Sequence, residues 1–291
     1  MKRSPMKRGM NARAAARTAG RGATKPTAKT KERLDVALVT RGLVDTREKA
    51  ARLILAGAVA VDGRRMDKAG TMVAPAALLE VARPVKFVSR GGDKLAHALD
   101  AFGISPAGRV CADIGASTGG FTHCLLQRGA ARVYAVDVGH GQLDAGLRAD
   151  GRVIVMEKTN ARQLTREAFP EAPRLATIDV SFISLEKVLP AVIGVLAPDG
   201  EVVTLLKPQF EVGKGQVGKG GVVRDATQHK SVVSQLARYC VLHGWHVRGI
   251  TASPLKGPKG NREFFLHLTK TGRTLAELDQ LITRTTAEEP A

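Results

Sequence analysis

From Arg109 onward, short apolar runs rich in valine and isoleucine alternate with segments of helical periodicity. This alternation restricts the fold more than any other feature of the chain. Strands are expected at Val110–Ile114, Val133–Val138, Val153–Glu157, Leu175–Asp179, Glu201–Lys207, Val247–Thr251 and Phe264–Leu268. Helices are expected over 120–128, 141–148, 184–196 and 227–243. Continuous apolar runs separated by helices describe strands buried on both faces. The expected fold is therefore α/β, with a doubly wound, mostly parallel sheet whose final strand is antiparallel.

In such sheets ligands bind beyond the carboxyl ends of the strands. Two of the runs end in a charge, Leu175–Ile178 in Asp179 and Glu201–Leu206 in Lys207, which Pro208 follows. A lysine or aspartate there is costly to bury unless it has a task. Lys94, in Ser89-Arg90-Gly91-Gly92-Asp93-Lys94, and Glu263, in Gly260-Asn261-Arg262-Glu263, lie near other element ends. Two lysines and two acids converging on one sheet edge would form an active site.

The segment Asp113-Ile114-Gly115-Ala116-Ser117-Thr118-Gly119-Gly120-Phe121 joins a strand to a helix through a tight turn of small residues. Its glycines allow a ligand to approach the backbone. The next strand ends in Asp137, at the spacing of one β-α-β step, where an acid can hold the two hydroxyls of a ribose. A dinucleotide site prefers G-x-G-x-x-G, but Ser117 stands at the third position. Asp113 would repel a pyrophosphate and suits a cofactor carrying an ammonium and a sulfonium. The turn thus favours S-adenosylmethionine, with Asp113, Gly115, Ser117, Thr118, Gly119, Gly120, Phe121 and Asp137 as candidate contacts. Gly115–Gly119 also fits the G-x-S-x-G elbow of hydrolases, but no oxyanion segment precedes it. Gly213–Lys219 imitates a phosphate loop, yet Gly220 stands where Ser or Thr would bind Mg²⁺. A glycine-rich basic lid beside Lys207, clamping an RNA phosphate through Lys214 and Lys219, is the better reading.

Upstream, Leu34 and Leu38 fit a helix ending at Arg41-Gly42. A second helix follows Asp45-Thr46, with Asp45 and Glu48 as a capping-box-like start. Ala58–Val61 reads as a strand turning at Asp62-Gly63, and a further strand includes Leu78–Val81. This small unit carries Arg33, Arg41, Arg47, Lys49, Arg52, Arg64 and Arg65. With a net charge of +18 and a pI near 10.3, the balance points to a polyanion such as nucleic acid. Residues 1–30 are basic and acid-free, and read as a disordered tail. Cys111, Cys124 and Cys240 form no CxxC pair, so free thiols in a reducing compartment and no metal site are expected. No run approaches the roughly 18 apolar residues of a membrane span, and no secretory h-region is present. The expectation is a cytoplasmic, monomeric protein without membrane contact.

The pattern Leu34-Asp35-x-x-Leu38 … Arg41-Gly42-Leu43 … Gly57-x-Val59-x-Val61-Asp62-Gly63 resembles the RNA-binding domain named after ribosomal protein S4. Ser89–Leu95, the Asp113–Phe121 turn, Asp179–Ser184 and Leu206–Glu211 resemble the TlyA-type (hemolysin A-like) ribosomal RNA methyltransferases. Their catalytic domain is similar to the wider FtsJ-like 2′-O-ribose methyltransferases. The resemblance implies a Rossmann-like methyltransferase sheet behind a small α+β S4-like domain. It implies a Lys-Asp-Lys-Glu set at Lys94, Asp179, Lys207 and Glu263, and cofactor contacts at Gly119, Phe121, Asp137, Asn160 and Asp179. Asn160 departs from the Asp common in the wider group. The expected organisation is a tail (1–30), an S4-like domain (31–88), a methyltransferase domain (89–272) and a C-terminal helix or tail (273–291). The expected substrate is ribosomal RNA in ribosomal subunits, with cytidines as targets and Arg90 among the RNA contacts. A non-catalytic assembly factor is the alternative; a haemolytic role is disfavoured.

The reaction asked of such a site is in-line attack of a 2′-hydroxyl on a methyl group. A lysine base at neutral pH must fall well below its ordinary pKa of about 10.4. On this reading the ammonium of Lys94 favours that fall at Lys207, while Asp179 opposes it and Glu263 orients Lys94 or the ribose.

Overall fold

The computed structural model describes residues 31–55, 57–81, 86–213, 215–218, 220–257 and 259–287. The chain divides into two compact units, Met1–Arg83 and Pro84–Ala291. The tail and the lid residues Lys214 and Lys219 lie outside the described residues.

The first unit runs β1 (Glu32–Arg33), α1 (Leu34–Thr40), α2 (Arg47–Leu55), β2 (Val59–Val61), β3 (Arg64–Met66), β4 (Met72–Val73) and β5 (Leu79–Val81). The helices bury Leu34, Ala37, Leu38, Ala50 and Ile54 against Val59, Val61, Val73 and Leu79. β2 pairs with β3 through the turn at Asp62-Gly63, and with β5 on its other side. Thr46, not Asp45, caps α2: its Oγ1 accepts from Lys49 N at 3.2 Å. Asp45 instead takes the Lys49 ammonium at 2.7 Å. β1 and β4 pair over two residues each, too short to leave a period-two signal in the sequence.

The second unit runs α3 (Gly91–Phe102), β6 (Val110–Ile114), α4 (Gly120–Gln127), β7 (Arg132–Val136), α5 (Ala145–Ala149), β8 (Val153–Met156), β9 (Leu175–Ile178), α6 (Leu189–Val195), β10 (Glu201–Leu206), α7 (Pro208–Glu211), α8 (Ala226–Leu242), β11 (His246–Ala252), β12 (Phe264–Thr269) and α9 (Leu278–Ala287). Seven strands form one sheet in the order β11-β12-β10-β9-β6-β7-β8. β10, β9, β6, β7 and β8 are parallel, and β12 is antiparallel to both its neighbours. Apolar layers cover both faces of the sheet, which accounts for the uninterrupted apolar runs. The chain winds outward from β6 in one direction and returns to its other side at β9, so the switch point lies between these two strands.

Register alone assembles one sheet edge. Ile114 aligns with Val136 and with Ile178, Ile178 with Thr204, and Leu206 with Phe264. The backbone at Gly115, Asp137, Asp179, Lys207 and Glu263 therefore leaves the sheet on the same side. Glu263 reaches it because β12 runs backwards: its entry meets the exit of β10.

Element ends depart from the sequence expectation where side chains intervene. The helix expected over 141–148 starts at Ala145, because Asp144 caps it by accepting from Gly146 N at 2.9 Å and Leu147 N at 3.2 Å. The helix expected over 184–196 breaks into a 3₁₀ turn, Leu185–Lys187, and α6. Pro190 has no N–H to give a helix interior, so it falls in the first turn of α6. β7 ends at Val136, since the Asp137 carboxylate folds back onto the chain and leaves Val138 exposed. No described helix is long and apolar enough to cross a membrane.

Candidate active site

Asp179 follows β9, and Lys207 opens α7 with Pro208 as the next residue. Lys207 Nζ lies 2.6 Å from Asp179 Oδ1 and donates to Ser181 Oγ at 3.0 Å. The Phe210 ring centroid is 6.0 Å from the same nitrogen. Lys94, in the first turn of α3, is buried and donates to Glu263 Oε2 at 2.5 Å. Glu263 is only 2% exposed, and burial pushes its carboxyl above the usual range while Lys94 opposes the shift. Its second oxygen, Oε1, has no partner among the described residues. The four residues thus form two ion pairs, Lys207–Asp179 and Lys94–Glu263. Of the two roles expected of Glu263, orienting Lys94 or the ribose, the structure shows the contact with Lys94.

The turn after β6 is built for close approach. Gly115 has φ of 87°, and a Cβ there would stand 2.4 Å from the carbonyl oxygen of Asp179. Ser117 holds the left-handed region at φ 48° and donates its N–H to Asp137 Oδ2 at 2.7 Å. Asp137 Oδ1 accepts from Gly139 N at 2.7 Å. Each carboxylate oxygen keeps a further lone pair for a ligand hydroxyl. A cleft of about 230 Å³ lies between Ser89, Arg90, Lys94, the Gly115–Thr118 turn and Asp179. A wider one of about 960 Å³ is lined by Ser117, Asp137, Gln142, Asn160, Asp179 and Phe182, among others. The two share Gly115, Ser117 and Asp179.

Asn160 Oδ1 accepts from Arg162 N at 3.1 Å and opens a 3₁₀ turn on the wall of the wider cleft. Gly119, Gly120 and Phe121 begin α4, with Phe121 packed 6.2 Å from Phe265. Gly119, set against Leu143 and Leu147, lines neither cleft, and the structure does not bring Asp113 to either. Its carboxylate is fully buried and accepts from Thr122 Oγ1 at 2.7 Å and Thr177 Oγ1 at 3.4 Å. Burial lifts it to about 7, against the Thr122 bond.

Residues the sequence reading passed over also border the site. Phe182 is 90% exposed, has φ of 63° and packs 5.0 Å from Phe210. Glu211 accepts from Leu185 N at 2.9 Å, which ties α7 to the loop after β9. Ser181, Phe182 and Phe210 lie within the quoted motifs, but nothing in those runs singles them out. An aromatic held at positive φ becomes visible only in the fold.

In the small unit several basic residues are engaged within the unit. Arg33 and Arg47 bind Asp35 at 3.0 and 2.8 Å. Arg41 binds Glu32 and the carbonyls of Ala74 and Ala77. The Arg65 guanidinium lies against Gly57. Arg64 and Arg52 are at least partly exposed.

A parallel sheet with a ligand cleft at its switch point, a glycine turn and a ribose-binding acid define the class of nucleoside-cofactor enzymes to which methyltransferases belong. The comparisons narrow this. The family model of FtsJ-like methyltransferases matches residues 87–270, and that of the S4 domain matches residues 32–78. The chain is 51% identical over 263 residues to the 16S/23S rRNA (cytidine-2′-O)-methyltransferase TlyA of Mycobacterium tuberculosis, covering 89% of this chain and 98% of that protein. It is 42% identical over 236 residues to Hemolysin A of Brachyspira hyodysenteriae, covering 81% and 98% respectively. A solved structure from Streptococcus thermophilus, carried under the provisional name of hemolysin, aligns with a TM-score of 0.69 at 44% identity, covering 89% of this chain and 96% of that one. The chain belongs to the FtsJ-like methyltransferases, in the TlyA-type branch that carries an S4 domain. It is a methyltransferase, and its cofactor is S-adenosylmethionine.

Proposed function

We propose that the protein methylates ribose 2′-hydroxyls of ribosomal RNA, acting on cytidines within ribosomal subunits through Lys94, Asp179, Lys207 and Glu263. The observation that carries this reading is the Lys207–Asp179 pair. Its Asp179 lines both clefts, its Lys207 is braced by Ser181, and Lys94 of the second ion pair lines the narrower cleft. The relatives' names supply the substrate class: the mycobacterial protein is named for cytidine-2′-O-methylation of 16S and 23S rRNA.

The residues present fit the cofactor. The wider cleft suits the adenosine end, with Asp137 for the ribose hydroxyls and Asn160 for the ring. The narrower cleft suits the methionyl end, where Arg90 would meet a carboxylate; this is a better use for Arg90 than RNA contact. When bound, S-adenosylmethionine supplies a methyl group on a sulfonium, already a good leaving group. Lys207 orients the 2′-hydroxyl so that an oxygen lone pair faces the methyl carbon, and Asp179 and Ser181 hold Lys207 in place. The hydroxyl proton becomes strongly acidic as the new C–O bond forms, so the Lys207–Asp179 pair can receive it late. Phe182 offers an exposed ring for stacking the target base.

Residues 31–88 would dock the enzyme on structured RNA through their free basic side chains, with residues 89–272 as the catalytic domain and 273–291 as an appended tail. A monomer working in the cytoplasm fits this reading. The test is methyl transfer from radiolabelled S-adenosylmethionine to isolated ribosomal subunits. Label should appear in nuclease-released 2′-O-methylcytidine, and Lys207→Ala should lower kcat by about 10²–10⁴ with cofactor affinity unchanged. Subunit binding without label would instead support an assembly factor, and normal turnover in Lys207→Ala would remove Lys207 from the reaction.

A further inference from the structure

Glu263 does not stand alone in its loop. Asn261, Arg262 and Glu263 are three consecutive buried polar residues between β11 and β12, and each grips a different part of the unit. The Asn261 carboxamide makes both of its bonds to the segment before α8. Its Oδ1 accepts from Val223 N, and its Nδ2 donates to Gly221 O, both at 2.9 Å. His229 of α8 lies 2.9 Å from the Val223 carbonyl oxygen, so that peptide segment is held from two sides. Arg262 donates to the carbonyls of Thr286 at 2.8 Å and Thr285 at 3.3 Å, at the end of α9. Among the described residues no carboxylate pairs with Arg262. Its charge rests on the negative end of a helix and on the face of Phe264, 5.4 Å away.

The loop itself is closed by Ser253 N donating to Glu263 O and Gly257 N donating to Asn261 O, both at 2.8 Å. Gly257 leaves room for the carboxylate: a Cβ there would lie 2.4 Å from Glu263 Oε1. A buried carboxylate with one ammonium partner and one open oxygen would be better off in water. Its placement therefore depends on a backbone with no freedom to move outward, and residues 261 and 262 supply that restraint.

We propose that Asn261 and Arg262 are positioning residues of the methyl-transfer site. They lock the loop that carries Glu263, and through Glu263 they hold Lys94 against the sheet edge. Asn261 ties this loop to the end of the glycine-rich segment, and Arg262 ties it to α9. The proposal rests on the reading of Lys94 and Glu263 as members of the transfer site.

The experiment uses the full-length protein, isolated ribosomal subunits and radiolabelled S-adenosylmethionine, with the variants Asn261→Asp, Arg262→Lys, Glu263→Gln and the two doubles with Glu263→Gln. Asn261→Asp keeps the shape but turns an acceptor toward the Gly221 carbonyl; Arg262→Lys keeps the charge but loses the fork. Each should lower kcat about 10–100-fold, as expected for sub-ångström misplacement. The KM for subunits and the calorimetric affinity for S-adenosylmethionine should stay within about twofold, because the cofactor turn lies on other elements. In the Glu263→Gln background the same changes should cost almost nothing further. A loss that multiplies fully in the doubles, or that follows falling cofactor affinity, would overturn the positioning role alone. Full turnover in Glu263→Gln would remove Glu263 from the site and the proposal with it.

Discussion

Each unit of the protein buries a carboxylate beside a cation, and the two behave in opposite ways. Asp35, 3% exposed, is gripped by the guanidinium groups of Arg33 and Arg47, whose outer parts stay in water. The Arg33 hydrogen bond chiefly pulls its carboxyl down to about 2. Glu263 has one ammonium, an open oxygen and a raised carboxyl. Both carboxylates are covered, but Asp35 lies under two guanidinium groups that reach solvent, whereas Glu263 lies deep in its unit, where burial outweighs the single ammonium. A carboxylate satisfied on both oxygens fixes a fold. One left half-satisfied beside Lys94, which lines the narrower cleft, suits the transfer role proposed for it.

The contrast can be broken most severely at Lys94. Lys94→Met leaves Glu263 buried without its cation and should cost about 3–5 kcal/mol in urea unfolding. Lys94→Met with Glu263→Leu should recover most of that loss while remaining inactive. If the double variant is no more stable than the single, the pair holds the fold and the contrast with Asp35 fails. Trp245, the only tryptophan, lies in the large unit and reports this transition by fluorescence.

Asp35→Ala should have a smaller effect, about 1–2 kcal/mol, because the released arginines rehydrate. It should speed amide exchange in residues 34–55 while leaving the Trp245 transition unmoved. The sign with pH follows from the depressed carboxyl. Its contribution is present above the ordinary value of 3.8 and is lost as pH falls toward about 2. Exchange in α1 and α2 of the unmutated protein should therefore rise steeply over that window, and a flat profile would contradict the assignment.

The smallest effect on stability is expected at Arg64, which is exposed and takes part in none of the ion pairs among the described residues. Arg64→Ala should change unfolding by less than about 0.5 kcal/mol. It should also weaken subunit binding and lower the salt slope by about one. Arg41→Ala, which breaks bonds to Glu32, Ala74 and Ala77, should do the reverse and act mainly on stability. Equal behaviour of the two arginines in both assays would erase the distinction between bracing and binding side chains.

The strands of the large unit were legible because a strand buried on both faces writes itself as an unbroken apolar run. Their ends, and the starts of α5 and α6, were less so, since Asp137, Asp144 and Pro190 act through single bonds or a missing donor. The glycine turn and Asp137 were readable because their chemistry is local. That Glu263 orients Lys94 was legible only through the family resemblance, because the two residues are 169 apart and meet through the reversed register of β12. Nor does sequence tell Arg41, which is tied to its own backbone, from Arg64. Asp113 misled for a related reason: its position at a strand end is visible, but the threonines that hold it inward are not.

The place of β12 also governs when the sheet edge is assembled. β10 and β11 follow one another in the chain, yet β12, the last strand to be synthesised, lies between them. Until it inserts, β11 has no partner, the edge of β10 is open, and Glu263 has no fixed position. The small unit, complete at β5, leaves the ribosome and can fold long before. A nascent chain can therefore complete its first unit early, whereas the edge that brings Lys207 and Glu263 together exists only once the final strand is in place.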